Sequence, residues 1–148
     1  MPVINQNALV PYSAAQMYQL VNNYEQYSEF VPGCVEGRTL TQQANVVTAE
    51  LVIAKAGIRQ RFTTQNTMLE NRAIRMQLVE GPFQFLQGEW TFEALDERCC
   101  KIALTLEFEF SNPIIAMAFG QIFTHLTTRM IAAFKQRAKE VYGGSNSY

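Results

Sequence analysis

The chain has one histidine and three cysteines in 148 residues, and this scarcity excludes several kinds of active site. His125 has no second histidine with which to form a metal pair or a proton-transfer dyad, so an ordinary histidine on a helix flank is the favoured interpretation. Cys34, Cys99 and Cys100 are odd in number and show no C-x-x-C spacing. We therefore expect reduced thiols of a cytoplasmic protein, with no disulfide framework and no metal site. A glycine-rich phosphate-binding loop is absent too, so we expect neither catalytic residues nor a required cofactor.

Long apolar runs and an excess of charge are also absent. The longest uninterrupted apolar run, residues 113–119, is far shorter than the ~20 residues that a membrane span needs. The first residues lack the basic and apolar regions of a signal peptide, so we expect a cytoplasmic protein that is not integral to a membrane. The formal net charge of -1 gives no overall attraction to nucleic acid or anionic lipid. Any such partner would have to meet a local patch.

What the chain does have is apolar sequence, at 48% hydrophobic residues, enough for one domain with a real core. We predict a single domain over residues 1–142 and a flexible C-terminal tail over residues 143–148. Alternating apolar and polar residues between short turn segments predict antiparallel strands. The seven predicted strands span residues 3–10, 35–42, 46–56, 58–69, 73–79, 87–95 and 99–110.

Helical patterns flank and interrupt these strands. Ser13 and Gln16 form a capping-box pattern before one short helix, and residues 24–30 predict a second. Residues 112–142 predict one long helix, which Asn112 caps and whose apolar residues recur at three- and four-residue steps. The order predicts an α+β fold, in which a curved seven-stranded antiparallel sheet wraps around the long C-terminal helix and two short helices follow the first strand. Because one helix incompletely fills such a sheet, we expect an internal apolar cavity.

Large apolar residues facing inward on the last strands and the long helix are the candidates for lining this cavity, although each could equally be an ordinary core residue. They are Trp90, Phe92, Leu106, Phe108, Phe119, Phe123, Leu126 and Met130. Gln60, Thr64 and Asn66 share the inward phase of strand 58–69; they either orient the polar head of a ligand or mark an edge strand or bulge. Two glycines and a proline in residues 81–90 predict a wide connection whose Phe83, Phe85 and Leu86 cover the cavity mouth, or a long hairpin packed on the core.

Several motifs in order resemble the bacterial RatA (PasT) family, which is similar in turn to the mitochondrial coenzyme-Q-binding START-domain proteins of the polyketide cyclase/dehydrase and lipid transport superfamily. The resemblance covers nearly the whole chain to Tyr142. The matching segments are Val10-Pro11-Tyr12-Ser13, Phe30-Val31-Pro32-Gly33-Cys34, Lys55-Ala56-Gly57-Ile58, residues 81–90, residues 108–112 and residues 137–142.

The resemblance implies a helix-grip (START-like) fold and two activities. One is binding of ubiquinone or a similar polyprenyl lipid in the cavity, in support of respiration. The other is association with the large ribosomal subunit, which blocks subunit joining and is toxin-like, and which implies a small antitoxin protein as a partner. An aromatase/cyclase-like enzyme acting on a hydrophobic substrate in the same cavity is the alternative.

Basic side chains are the candidate ribosome contacts under this resemblance, because affinity for RNA rests largely on Lys and Arg. They are Arg59, Arg61, Arg129, Lys135 and Lys139. A solvated surface, and cations that complement a helix dipole, explain the same residues without a partner. For the lipid, each buried CH₂ contributes ~0.8 kcal/mol, so two shielded isoprene units could supply several kcal/mol and an apolar tunnel would suffice.

Overall fold

Seven strands join into one antiparallel sheet in the computed structural model, which describes residues 3–143. The strands are β1 (Val3–Val10), β2 (Cys34–Gln43), β3 (Val46–Lys55), β4 (Ile58–Leu69), β5 (Ala73–Glu80), β6 (Phe83–Ala94) and β7 (Cys100–Phe110). Their order in the sheet is β1-β7-β6-β5-β4-β3-β2, so β2 to β7 form a meander and the first strand pairs with the last. The predicted α+β class and the strand count are confirmed.

Two short helices lie between β1 and β2, as predicted. Helix α1 (Ala14–Asn22) begins with a complete capping box, in which the Ser13 hydroxyl accepts from the Gln16 amide and the Ser13 amide donates to the Gln16 side chain at 2.9 Å. The second helix, Tyr24–Glu29, is a 3₁₀ helix. Its Tyr24 and Tyr27 are buried, so this short element contributes two aromatic rings to the interior.

The C-terminal helix predicted over residues 112–142 consists of two helices, α2 (Pro113–Thr128) and α3 (Met130–Tyr142). Asn112 caps α2, since its side-chain oxygen accepts from the Ile115 amide at 2.9 Å. Of the tail predicted over residues 143–148, all but the first residue lie outside the described residues. Among residues 3–143, no helix is both long enough and apolar enough to span a bilayer.

The break between α2 and α3 lies at Arg129, whose φ and ψ are -104° and 1°. Two threonine side chains bond backward along the helix just before it: the Thr127 hydroxyl donates to the Phe123 carbonyl at 3.0 Å and the Thr128 hydroxyl to the Thr124 carbonyl at 2.8 Å. Such bonds compete with the helix's own hydrogen bonds and bend helices. The prediction of one helix was wrong here because the apolar spacing continues through the break.

Of the two alternatives for residues 81–90, the wide connection was wrong, and a hairpin packed on the core is what the structure shows. Strand β6 begins at Phe83, and a register shift between Phe83 and Phe85 replaces the expected loop. Gly88 lies inside the strand, where a Cβ would come within 2.6 Å of the Thr105 carbonyl oxygen, so this glycine permits close approach of β7. Phe83 and Leu86 are buried on the inner face and Phe85 is half-buried. None of them forms a lid.

Candidate ligand-binding cavity

A cavity of about 60 Å³ lies between the inner face of the sheet and the helices. Strands β6 and β7 supply Trp90 and Leu106, and the helix layer supplies Phe123 from α2 and Met130 from α3. All four were predicted from the sequence to line it. Space of this size holds a few water molecules, and the cavity is therefore much smaller than the hollow we expected from the element order.

The other four predicted lining residues are buried in the core but do not line the cavity. Phe92 packs against Tyr18, with ring centroids 5.7 Å apart. Phe108 and Phe119 contact the Phe110 ring, with centroids 5.5 and 6.0 Å away. Leu126 lies one helical turn from the lining Met130 and packs toward the start of β2. Their inward phase is as predicted; their position along each element could not be read from periodicity.

The polar candidates on β4 separate in the same way. Thr64 and Asn66 line the cavity, whereas Gln60 lies half-buried near the β3–β4 turn, away from it. Of the three residues predicted at the cavity mouth, only Leu86 is part of the lining, and Phe83 packs against the Phe123 ring at 4.9 Å.

Residues from the N-terminal helices form a part of the wall that the sequence reasoning did not include. Val21, Tyr24 and Tyr27 face the cavity from α1 and the 3₁₀ helix. Tyr24 and Tyr27 were recognisable as the inner face of a short helix, but only the tertiary structure places that helix over the sheet. The Tyr27 hydroxyl donates to the Val21 carbonyl, which leaves Tyr24 as the tyrosine with hydrogen-bonding capacity to spare.

Tyr24 and Asn66 form a polar pair in this apolar setting. Asn66 is fully buried, and its Nδ2 donates to the Tyr24 hydroxyl oxygen at 2.7 Å. The Asn66 Oδ1 atom has no hydrogen-bond partner, and within residues 3–143 the Tyr24 hydroxyl donates to no acceptor. If the amide were rotated, Oδ1 would accept from Tyr24 and the N–H groups would be unused. In either orientation the pair holds a hydrogen-bond donor that the described residues do not use.

Burial, the largest effect, raises the pKa of Tyr24, and the hydrogen bond from Asn66 only partly opposes it. Tyr24 therefore keeps its proton throughout the physiological pH range and remains a donor. Within the part of the chain that the structure describes, the cavity lining includes no Asp, Glu, His, Lys, Arg or Cys. Nor do three metal-ligating side chains converge anywhere in residues 3–143. The lining is therefore apolar and uncharged, with a hydrogen-bond donor that the described residues do not use.

The predicted ribosome contacts lie on two separate surfaces. Arg59 and Arg61 are exposed on the outer face of β4, where Arg61 pairs with Glu50 at 3.6 Å. Arg38 of β2, which the sequence reasoning did not single out, pairs with Glu50 at 2.9 Å from the other side. Arg59 pairs instead with Glu36 at 3.9 Å. Arg38, Arg59 and Arg61 are here called the β2–β4 arginine cluster.

The remaining basic residues, Arg129, Lys135 and Lys139, are exposed on the helix layer. One guanidinium nitrogen of Arg129 lies 3.0 Å from His125 Nδ1. Desolvation, and then the positive charges of Arg129 and Lys55, lower the pKa of His125. This histidine is therefore neutral at neutral pH and has no place in the cavity.

Comparison with known proteins assigns this architecture to a class. The family model described as polyketide cyclase / dehydrase and lipid transport matches residues 10–135. Among solved structures, a START superfamily protein from Mycobacterium smegmatis superposes with a TM-score of 0.78 at 16% identity, covering 94% of this chain and 98% of that one. The Zhui aromatase/cyclase from a Streptomyces species superposes with a TM-score of 0.82 at 14% identity, covering 99% of each chain. At these identities the likeness shows the helix-grip fold alone.

Sequence relatives narrow the assignment. The Escherichia coli (strain K12) protein named ribosome association toxin RatA is 49% identical over 142 residues, which cover 96% of this chain and 90% of the relative. A mitochondrial coenzyme Q-binding protein of Dictyostelium discoideum is 28% identical over 141 residues, 93% of this chain and 69% of the relative. The chain therefore belongs to the polyketide cyclase / dehydrase and lipid transport family and, within it, to the RatA proteins.

Proposed function

We propose that this protein is a non-enzymatic binding protein whose cavity takes a polyprenyl quinone such as ubiquinone. The observation that carries the proposal is the unused donor of the Tyr24–Asn66 pair, at the wall of an otherwise apolar cavity. A buried polar group without a partner costs about 1–3 kcal/mol, so its retention favours a ligand that satisfies it. The coenzyme Q-binding relative supports the same ligand class.

A quinone matches this site better than other lipids do. Its ring is flat and apolar, and its carbonyl oxygens accept hydrogen bonds without carrying charge. A fatty acid or phospholipid brings an anion, and no cation lies in the described lining to receive it. Leu104 and Leu106 of β7 supply apolar wall for the tail. Discrimination of tail length is expected to be loose, because an apolar wall carries no polar contact at which a chain must end.

A cavity of about 60 Å³ has to enlarge to admit such a ligand. Phe123 and Met130 line it from opposite sides of the α2–α3 break at Arg129, so a small rotation of α2 would widen it. Each newly buried CH₂ contributes ~0.8 kcal/mol, and one isoprene unit has five carbons. Burial of the tail can thus offset several kcal/mol of rearrangement.

The first experiment is organic extraction of the purified protein followed by mass spectrometry. A quinone in the extract is expected; its absence after expression in a quinone-producing host would count against the proposal. The second is titration with a short-tailed ubiquinone, followed through the fluorescence of the lining Trp90. Tyr24→Phe combined with Asn66→Leu should weaken binding by about tenfold, the equivalent of one hydrogen bond. Gln60→Leu, on the same strand outside the cavity, is the control and should bind as the wild type does. Equal affinity of all three proteins would exclude the polar pair as the head-group site.

Association with the large ribosomal subunit is the second proposed activity, and the 49% identity to a ribosome association toxin favours it. The β2–β4 arginine cluster is the proposed contact, because its three side chains are more than half exposed and are held in place by Glu50 or Glu36. Salt-sensitive sedimentation with the large subunit tests this. Arg59→Glu with Arg61→Glu should abolish it, whereas Arg75→Glu on β5, an exposed arginine outside the cluster, should not. If neither variant lost sedimentation with the large subunit, or if both did, the cluster would be excluded as the contact.

The aromatase/cyclase alternative rests on fold likeness alone, at 14% identity. Acid–base chemistry inside the cavity would need a group that can exchange a proton near neutral pH. The titratable side chains in the described lining are Tyr24 and Tyr27, and burial raises the pKa of both. We therefore favour binding over catalysis. Recovery of the extracted ligand chemically unchanged after incubation supports this, and conversion to a cyclised product would overturn it.

A further inference from the structure

An apolar patch on α2 is left exposed by the residues that the structure describes. Ile114 is 74% exposed and Met117 is 82% exposed, and they lie one helical turn apart. Ala118 and Gln121 continue this exposed side of the helix. No charged residue lies between Asn112 and Thr124, so the patch has no ionic rim along its own helix. Large apolar side chains this exposed on a helix often mark a binding surface.

The same side of the helix layer becomes basic further along. The exposed residues continue at three- and four-residue steps through Thr128 and Ala132 to Lys135 and Lys139. Neither lysine forms an ion pair within residues 3–143, whereas Arg137 between them is bound to Glu29 at 2.6 Å. Residues 111–139 include no aspartate or glutamate at all. An apolar part on α2 and a cationic part on α3 thus follow each other along the exposed residues of the helix layer.

We propose that this outer side of α2 and α3 docks on an anionic lipid surface. Ile114 and Met117 enter the boundary between headgroups and acyl chains, and Lys135 and Lys139 contact the anionic headgroups. This is the arrangement of an interfacial amphipathic helix, in which buried apolar side chains and attraction to anionic lipid act together. The inference does not depend on a quinone in the cavity, because only exposed side chains take part.

Charge and area favour a lipid surface over the other occupants. RNA offers phosphates to the lysines but nothing to Ile114 and Met117. A second copy of the chain would bury the two apolar side chains, at most a few hundred Å², against the ~1,200 Å² of a stable specific interface. A membrane satisfies both parts at once.

The location of the cavity also supports docking through this side of the helices. Phe123 of α2 and Met130 of α3 line the cavity from the inner side of the two helices whose outer side would touch the membrane. The cavity therefore lies one helix thickness from the docked surface. A protein that takes an apolar ligand from a bilayer would need this proximity.

Flotation with vesicles tests the inference on the full-length protein. The probe is phosphatidylcholine vesicles with about a third phosphatidylglycerol, compared with pure phosphatidylcholine, at low and at high salt. The wild type should float with the anionic vesicles. Ile114→Asp with Met117→Asp should reduce the bound fraction at least about tenfold, because two carboxylates replace the inserting side chains. The control is Leu9→Asp on β1, which changes an equally apolar, 66% exposed side chain on another element and should leave flotation intact.

Lys135→Glu with Lys139→Glu should lower the affinity for anionic vesicles about tenfold or more, so that the variant no longer prefers them to neutral vesicles. All substituted residues are exposed, and circular dichroism verifies the fold of each variant. Absence of flotation of the wild type, or flotation of the aspartate pair equal to that of the Leu9 variant, would overturn the inference. A dimer in light scattering that the aspartate pair dissociates would assign the patch to self-association and overturn it as well. Quinone titration of the same variants separates the two proposals, since loss of docking should leave ligand affinity in detergent unchanged.

Discussion

Substitution of the Tyr24–Asn66 pair should give an unusual order of stabilities. Tyr24→Phe removes the hydrogen-bond partner that the fully buried Asn66 side chain has among residues 3–143. Asn66→Leu keeps the shape of the side chain but removes both amide atoms, including the unpartnered Oδ1. The double variant replaces the whole polar pair with apolar atoms. We expect the double variant to be the most stable of the three.

The magnitudes follow from the cost of a buried polar group without a partner, about 1–3 kcal/mol, against a net gain of about 1 kcal/mol for one hydrogen bond. Tyr24→Phe should cost about 1–3 kcal/mol. Asn66→Leu should cost less than Tyr24→Phe, because it leaves the Tyr24 hydroxyl without its partner but also removes the unpartnered Oδ1. The double variant should match the wild type or exceed it by about 1 kcal/mol, equivalent to a rise in melting temperature of roughly 2–4 °C for a chain of this length.

Calorimetry and urea unfolding of the ligand-free protein measure these differences. Equal urea m-values across the series would show that the denatured state is unchanged. If the double variant were less stable than either single variant, the pair would be a stabilising structural contact, and the argument that it is retained for a ligand would be refuted.

Three further predictions concern other parts of the fold. Gly37→Ala should destabilise the protein by about 2 kcal/mol or more, because a Cβ there would clash with the Tyr24 carbonyl oxygen. Urea unfolding measures the loss. A variant as stable as the wild type would contradict the close packing of β2 on the 3₁₀ helix. Glu50→Gln should cost about 1 kcal/mol, and the loss should shrink at high salt because its arginine partners are half-exposed; a loss independent of salt would contradict the electrostatic origin. Burial raises the pKa of Cys34 and of Cys100 from 9.0 to about 11, so the folded state keeps thiol protons that the unfolded chain releases. This part of the stability is complete below pH 9.0 and is lost as the pH rises toward 11; thermal melts across that range test it, and the Cys34→Ala variant should show a shallower decline.

The sequence predicted the fold class well because its two periodicities are strong. Alternation in β7, from Ile102 to Phe110, and the three- and four-residue spacing from Ile115 onward each follow from one buried face. Such patterns show which side of an element is covered. They do not show how far along the element a neighbour lies. The sequence therefore could not separate Trp90 and Leu106, which line the cavity, from Phe92 and Phe108, which share their phase and do not.

Local exceptions to periodicity were not predictable for a related reason. The threonine bonds before Arg129 leave the apolar spacing intact, so the break between α2 and α3 has no trace in the pattern. Gly88 indicated a loop because glycine is common in turns, yet here it relieves contact between two strands. The contribution of Tyr24 depends on how a short helix packs over β4, a long-range contact with no local sequence pattern.

The two helices on either side of Arg129 are fastened to the rest of the molecule unequally. Tyr142 of α3 donates to the Gln16 carbonyl and Tyr12 donates to the Gly143 carbonyl, both at 2.9 Å, while Arg137 is bound to Glu29. Helix α2 is held by aromatic packing, for example of Phe123 on Phe83 and Phe108, and at its end by a hydrogen bond that Gln6 donates to the Thr128 carbonyl at 3.0 Å. Aromatic rings can re-pack without breaking hydrogen bonds. We therefore expect α2, which precedes Arg129, to change position more easily than α3, which is held by directional bonds.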